Sequence, residues 1–297
     1  MIRFVNAKIN LGLNILRRRT DGYHDLETVF YPVGLYNGTP ENLEPFCDIL
    51  EITQDKNLSG DKYNFSGNSI DCPLEKNLVV KAVRLFRDEM EKKGYDMPSL
   101  SINLEKHIPD AAGLGGGSAD ASFTLMMLNE LAGDIFNKEQ LKTFALRLGA
   151  DCPFFIENRP VLASGIGEVM KSIPVDLSGY WAVIIKPDIN ISTKEAFAGI
   201  SPHLPRHRIS NIITNPIGQW REMGLSNDFE SHLFTNYPLL AQIKQDLYSS
   251  GALYDSMSGS GSSVYGIFPD YKSAQKGLDI QANATCQSNI RGFIIKL

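Results

Sequence analysis

Leu100, Ile102 and Leu104 alternate with Ser101, Asn103 and Glu105, the two-residue period of a half-buried strand. Farther on, Ala121, Leu125, Leu128 and Ala132 recur at helical spacing, and Met126, Met127 and Leu131 widen the apolar face. Between these patterns runs PDAAGLGGGSADAS, Pro109 to Ser122. The pattern predicts a strand, a glycine-rich loop and a helix N-terminus in direct succession, with Ser118 as the helix N-cap.

The rest of the chain divides in the same way. Phe4 to Ile15 is rich in Ile, Leu and Val and reads as a strand, followed by the polar turn opening RRRTDGYHDLETVF and a strand from Val29 to Leu35. Tyr36 to Phe46 reads as an irregular loop, Asp48 to Thr53 as a strand, and Gln54 to Lys76 as an exposed, turn-rich stretch. Helices are predicted over about Asn77 to Lys93 and over Lys138 to Leu148, the latter stopped by Gly149. Asp151 to Phe155 begins a new element, and Trp181 to Ile185 is a short apolar strand. Pro238 to Ser249 is helical by spacing and leads to a second small-residue loop, DSMSGSGSSVYGIF, that enters a strand. Arg291 to Leu297 is a final strand. Strands dominate the N-terminal part, so an α+β fold is expected, in two domains spanning residues 1–155 and 156–297.

Composition narrows the function classes. The 297 residues are 43% hydrophobic and 21% charged, with a net charge of −5 and no long basic run. Nucleic acid and acidic membranes are therefore poor partners. Cys47, Cys72, Cys152 and Cys286 form no C-x-x-C pair, which argues for reduced thiols in a cytoplasm and against a zinc site. The opening MIRFVNAKINLGL, interrupted by Asn6, Lys8 and Asn10, offers no signal-peptide core, and no run approaches the ~18 apolar residues of a spanning helix. A cytoplasmic protein is expected.

The chemistry starts at Gly113, Gly115, Gly116 and Gly117. Glycine costs roughly 0.5–1 kcal/mol inside regular structure relative to Ala, so four at a strand–helix junction ask for a reason. Close approach of a phosphate to free amides at a helix N-terminus supplies one. Ser118 and Ala119 follow Gly117 where the P-loop pattern needs Lys, and the dinucleotide fingerprint fits only loosely, with no acidic residue closing a second strand.

Four other segments invite a reading. Lys8 in AKINLGL, with Asn10, sits at an alternating position of an apolar strand and is either a lysine buried with a partner or, as the residues alone favour slightly, a snorkelling or edge-strand lysine. In DGYHDLETVF the Asp21-Gly22 turn presents Tyr23 and His24, either a stacking face with a hydrogen-bonding edge or an incidental hairpin. Asp151 in LGADCPFF sits beside apolar bulk and is either functional or a local cap, and Cys152 reads as a small packing residue. Ser256 to Ser263 is a second Gly/Ser loop, or a flexible turn. His107, His203, His207 and His232 show no metal-ligand spacing.

Together, AKINLGL, DGYHDLETVF, KHIP leading into P-x-x-x-G-L-G-G-G-S-A, LGADCPFF and the late M-S-G-S-G-S-S resemble the small-molecule kinase superfamily of galactokinase, homoserine kinase, mevalonate kinase and phosphomevalonate kinase. The likeness covers nearly the whole chain and points to the branch whose acceptor carries cytidine diphosphate, in the non-mevalonate isoprenoid pathway. It implies a two-domain fold of mixed sheets and helices with the active site in the cleft between domains. The implied cofactors are ATP and Mg2+, and the implied state is a monomer or homodimer. Asp151 is implied as the catalytic carboxylate, with Lys8 its cationic neighbour. The ATP phosphate loop would be Pro109, Asp110, Ala111, Ala112, Gly113, Leu114, Gly115, Gly116, Gly117, Ser118 and Ala119, with Asn77 and Lys106 near the nucleotide. Asn10, Tyr23, His24, Thr193 and Phe197 would form the acceptor site, Tyr23 and Phe197 sandwiching cytosine and His24 bonding its edge. Metal ligands are left open. The loop from Tyr36 to Phe46 is longer than usual for the family, and Ser258 stands where a Thr is frequent. A mevalonate or homoserine kinase would need no aromatic clamp, and a non-catalytic nucleotide-binding module would be expected to lose Lys8 or Asp151.

Overall fold

A computed structural model describes residues 1–34, 46–55, 59–70, 72–284 and 290–297. The strands are β1 (Ile2–Arg18), β2 (His24–Val33), β3 (Cys47–Gln54), β4 (Lys62–Gly67), β5 (Leu100–Lys106), β6 (Val161–Gly165), β7 (Val169–Ser172), β8 (Trp181–Pro187), β9 (Tyr254–Met257), β10 (Val264–Phe268) and β11 (Ile290–Lys296). The helices are α1 (Leu78–Glu91), α2 (Gly116–Leu131), α3 (Lys138–Leu148), α4 (Cys152–Glu157), α5 (Thr193–Ala198), α6 (Ile209–Ile212), α7 (Glu230–Asn236), α8 (Pro238–Ser249) and α9 (Tyr271–Ala284).

These elements form two compact units, and the chain is interleaved between them. The first unit comprises Met1–Ala7, Pro45–Asp110 and Gly115–Arg159; the second comprises Lys8–Glu44, Ala111–Leu114 and Pro160–Leu297. The 17-residue β1 is too long for one unit and passes from the first to the second at Lys8.

In the first unit, β4 pairs parallel with β5, β5 antiparallel with β3, and β3 antiparallel with the opening residues of β1. The alternation read at Leu100 to Glu105 holds: Leu100, Ile102 and Leu104 are buried. Helix α2 packs against α1, α3, α4 and β3. Phe86, Phe136 and Phe144 stack edge to face beside it. β4 falls in the stretch expected to be exposed and turn-rich; its strand signal is only the alternation of Tyr63 and Phe65, both half-buried, and pairing with β5 completes it.

In the second unit, the remainder of β1 lies beside β2, which pairs antiparallel with β6, and β6 pairs antiparallel with β7. A separate antiparallel sheet runs in the order β11-β8-β10-β9. Its core joins Val183, Ile185, Val264 and Phe268 to Leu240, Ile243 and Leu247 of α8. The mixture of antiparallel sheets, one parallel pair and packed helices is the α+β class expected from the sequence. The loop from Tyr36 to Phe46 lies outside the described residues, apart from Phe46.

Candidate active site

The glycine loop is divided between the units, and its glycines are there for different reasons. In the first unit Gly115, at φ 72°, takes the N-cap position of α2, so the helix starts at Gly116. Ser118, expected as the cap, lies in the first turn instead, because the left-handed glycine swings the chain into the helix before it. A Cβ on Gly116 would stand 3.0 Å from Ile108 Cγ2, whereas one on Gly117 would meet nothing nearer than Leu78 Cδ1 at 3.9 Å. The space left by Gly117 borders the amides that open a 16-residue helix. Those amides have no intrahelical partner, and the macrodipole adds about half a positive charge there.

Gly113, in the second unit, answers a different demand. Its φ is +73°, and a Cβ there would lie 1.9 Å from the Ser258 carbonyl oxygen. Ser258 Oγ donates to the Gly113 carbonyl at 2.8 Å, and the Ser263 amide donates to the Ala112 carbonyl at 3.3 Å. Here glycine lets two small-residue loops touch. Ala111 holds φ 47°, a conformation that costs a non-glycine residue of order 1–3 kcal/mol.

Lys8 is not the exposed lysine that its strand position suggested: it is 3% exposed. Its Nζ donates to Asn10 Oδ1 at 2.6 Å and lies 5.0 Å from the centre of the Phe30 ring. Asn10 in turn donates from Nδ2 to Thr28 Oγ1 at 3.0 Å, and its carbonyl accepts from Tyr265 at 2.6 Å. Asn10, expected at the acceptor site, offers its amide oxygen to Lys8 and its amide nitrogen to Thr28. An ammonium brought into this interior has to be compensated, and the amide oxygen and the ring face both contribute.

In the first unit Lys106 is buried between two carboxylates. Its Nζ donates to Asp48 and, at 2.6 Å, to Asp120 Oδ2. Burial alone would lower its pKa, but the charges of Asp120 and Asp48 outweigh that and leave it raised. Asp120 is pushed up to about 8, chiefly by burial. Asn77 is the N-cap of α1, its side chain accepting from the Val79 amide at 2.8 Å, a bond worth roughly 1 kcal/mol. The same Asn77 lines a cavity of about 350 Å³ with Phe65, Asn68, Ile70, Cys72 and Leu74. Asp151 stands at the N-terminal end of α4 and makes no side-chain capping bond to it. Cys152 beside it is fully buried, its thiol pushed up to about 11 chiefly by burial, and so packs as a neutral thiol.

The residues expected at the acceptor site lie in the second unit. The His24 and Phe197 rings stack at 4.9 Å and 19°. Phe197 packs edge-on against Phe229 at 4.9 Å, and Tyr237 donates to Glu195 at 2.7 Å, which secures α5. Burial, and then the Arg18 charge, lower the His24 pKa, so the ring is neutral at pH 7 and offers one donor and one acceptor. Tyr23 is 60% exposed, and Thr193 opens α5 on the surface. The aromatic pair that forms is therefore His24 with Phe197; Tyr23 stands out in solvent.

Comparison with known proteins gives this arrangement a context. The family described as GHMP kinases N terminal domain matches residues 77–159, and GHMP kinases C terminal matches 212–282. A 4-diphosphocytidyl-2-C-methyl-D-erythritol kinase of Bacteroides fragilis is 45% identical over 295 residues, covering 98% of this chain and all of that protein. The enzyme of that name from Bacteroides thetaiotaomicron is 48% identical over 268 residues, 90% of this chain and 92% of that one. The chain belongs to the 4-diphosphocytidyl-2-C-methyl-D-erythritol kinase family. A crystal structure titled 4-(cytidine 5'-diphospho)-2C-methyl-D-erythritol kinase superposes over the whole of both chains with a TM-score of 0.77 at 27% identity. The mevalonate kinase of Methanococcus jannaschii, at 13% identity and a TM-score of 0.71 over 100% and 98% of the chains, shares the fold.

Several polar residues of this family member had no signal strong enough to be singled out from sequence. Asn227 Nδ2 donates to the Met257 and Gly259 carbonyls, both at 2.8 Å, and Glu230 accepts from the Met257 amide at 2.7 Å. The two pin the late small-residue loop from outside it. Asp48, wholly buried, heads the apolar strand β3. A carboxylate opening an apolar run was the available clue.

Proposed function

We propose that this kinase transfers the γ-phosphoryl group of ATP to the 2-hydroxyl of 4-diphosphocytidyl-2-C-methyl-D-erythritol, in the cytoplasm, as a step of non-mevalonate isoprenoid synthesis. The observation that carries this reading is the 45% identity to the Bacteroides fragilis enzyme of that name over 98% of this chain and all of that one. The site residues support it chemically. Phosphoryl transfer asks a protein mostly for positioning and charge stabilisation. The amides at Gly116 and Gly117 suit the ATP phosphates, and the cavity beside Asn77 suits the adenine. Asp151 is assigned the proton of the attacking hydroxyl, and Lys8 the charge on the transferring group.

Mg2+ fits this site only as the metal of the nucleotide complex. Among the described residues, no three His, Cys, Asp or Glu side chains converge to hold a metal. Mg2+ keeps most of its six oxygens from phosphates and water, so it needs no such cluster. When bound with ATP it would neutralise phosphate charge.

His24 stacks on Phe197 with no gap for a base between them, so this pair supports a pyrimidine-bearing acceptor over mevalonate or homoserine through the hydrogen-bonding edge of His24 and not by a sandwich. The neutral imidazole matches a base edge that both donates and accepts, and a pocket built for such an edge rejects acceptors lacking it.

The role of Asp151 is tested by Asp151→Asn, assayed for ATP consumption with saturating acceptor. We expect turnover to fall by about 10²–10⁴-fold with the fold intact by circular dichroism. Near-wild-type turnover by a folded Asp151→Asn would remove the base assignment.

A further inference from the structure

The lysine entering the glycine loop is held by two carboxylates to which the proposed reaction assigns no role. Asp48, at the start of β3, is wholly buried. Its Oδ2 takes the Lys106 ammonium, and its Oδ1 accepts from the amides of His107 at 2.6 Å and Ile108 at 2.8 Å. His107 and Ile108 are the last residues before Pro109. Asp120, on α2 just past the loop, accepts from the same ammonium at 2.6 Å. The first residue of α2 abuts that ammonium too, since a Cβ on Gly116 would lie 3.3 Å from Lys106 Nζ. One lysine thus ties the strand that enters the loop to the helix that leaves it.

We infer that Asp48, Lys106 and Asp120 are positioning residues that clamp both ends of the phosphate loop, with Lys106 acting on the nucleotide through this clamp and not by contact. The inference rests on the kinase reading above. Its first support is the donor count: an ammonium has three donors, and two go to the carboxylates. The second is burial, since Lys106 is 6% exposed, whereas a lysine that grips phosphate as a point charge has to reach it. The third is charge. Asp48 already balances the ammonium and Asp120 adds no positive charge, so the cluster offers no net attraction for an anion, and what it supplies is the spacing of the amides at the start of α2. That spacing matters because misplacement by about 1 Å can cost about 10²-fold in rate.

The test is calorimetric titration of AMP-PNP, adenosine and CDP into the folded wild type and Asp48→Asn. An amide at position 48 must turn its NH2 toward either Lys106 or the loop amides, so it cannot satisfy both. We expect the dissociation constant for AMP-PNP to rise by at least about tenfold, as expected for misplaced phosphate donors, with adenosine and CDP shifted less than about twofold. If Asp48→Asn does not fold, Asp48→Asn with Lys106→Gln removes one charge of each sign and is expected to give the same pattern. Unchanged AMP-PNP affinity in a folded variant overturns the clamp. So does equal weakening of all three ligands, which a merely structural role would produce. A wild type that binds neither AMP-PNP nor adenosine overturns the kinase reading and the clamp together.

Discussion

His24 shows how one residue's surroundings prepare it for a task. A histidine alone in a turn is usually incidental, and in sequence only its neighbour Tyr23 and the family resemblance of DGYHDLETVF argued otherwise. The fold brings Phe197, far along the chain, to 4.9 Å from its ring, and burial lowers its pKa so that it stays neutral. We predict that His24→Ala raises KM for the cytidine acceptor by about 10-fold or more, the range for losing hydrogen bonds to a base edge. KM for ATP should change less than about twofold, which steady-state kinetics with each substrate varied in turn will measure. An unchanged acceptor KM would remove His24 from the cytosine site. Lys8 teaches the complementary lesson. Its strand position suggested a snorkelling side chain, because an alternating pattern cannot reveal that Asn10 and the Phe30 face await it inside.

Among the elements, α1, α3, α8 and β5 were legible because each buries one face and so repeats its apolar residues at its own period. β4 was not, since its own signal is a single alternation of Tyr63 and Phe65 and its pairing with β5 is non-local. The glycine loop was legible as a phosphate-binding candidate, but its glycines read alike in sequence and differ in the fold. Gly117 leaves open space beside the helix amides, whereas Gly113 makes room for the Ser258 carbonyl. Gly113→Ala should therefore cost stability, on the order of 2–4 kcal/mol, through a positive φ and a clash with backbone that cannot move aside. Gly117→Ala, inside the helix and free of clashes, should leave stability unchanged or raise it by up to about 1 kcal/mol and instead weaken ATP binding. Thermal unfolding and nucleotide titration of the two variants separate these outcomes; equal loss of stability in both would contradict the distinction.

For the whole molecule, the candidate residues are divided between the two compact units. Asn77 and Asp151 belong to the first, and Lys8, His24 and Phe197 to the second. Chain order concealed this division, because β1 and the loop at Ala111–Leu114 cross between units within a few residues. The motif set in order, AKINLGL through MSGSGSS, was nonetheless enough to indicate the superfamily, since each block carries its own local chemistry. The acceptor is the central claim, and ATP consumption against a panel of acceptors tests it most directly. With 4-diphosphocytidyl-2-C-methyl-D-erythritol, mevalonate, homoserine and galactose offered separately, turnover is predicted with the cytidine compound alone. Turnover with one of the other three, and none with the cytidine compound, would contradict the account.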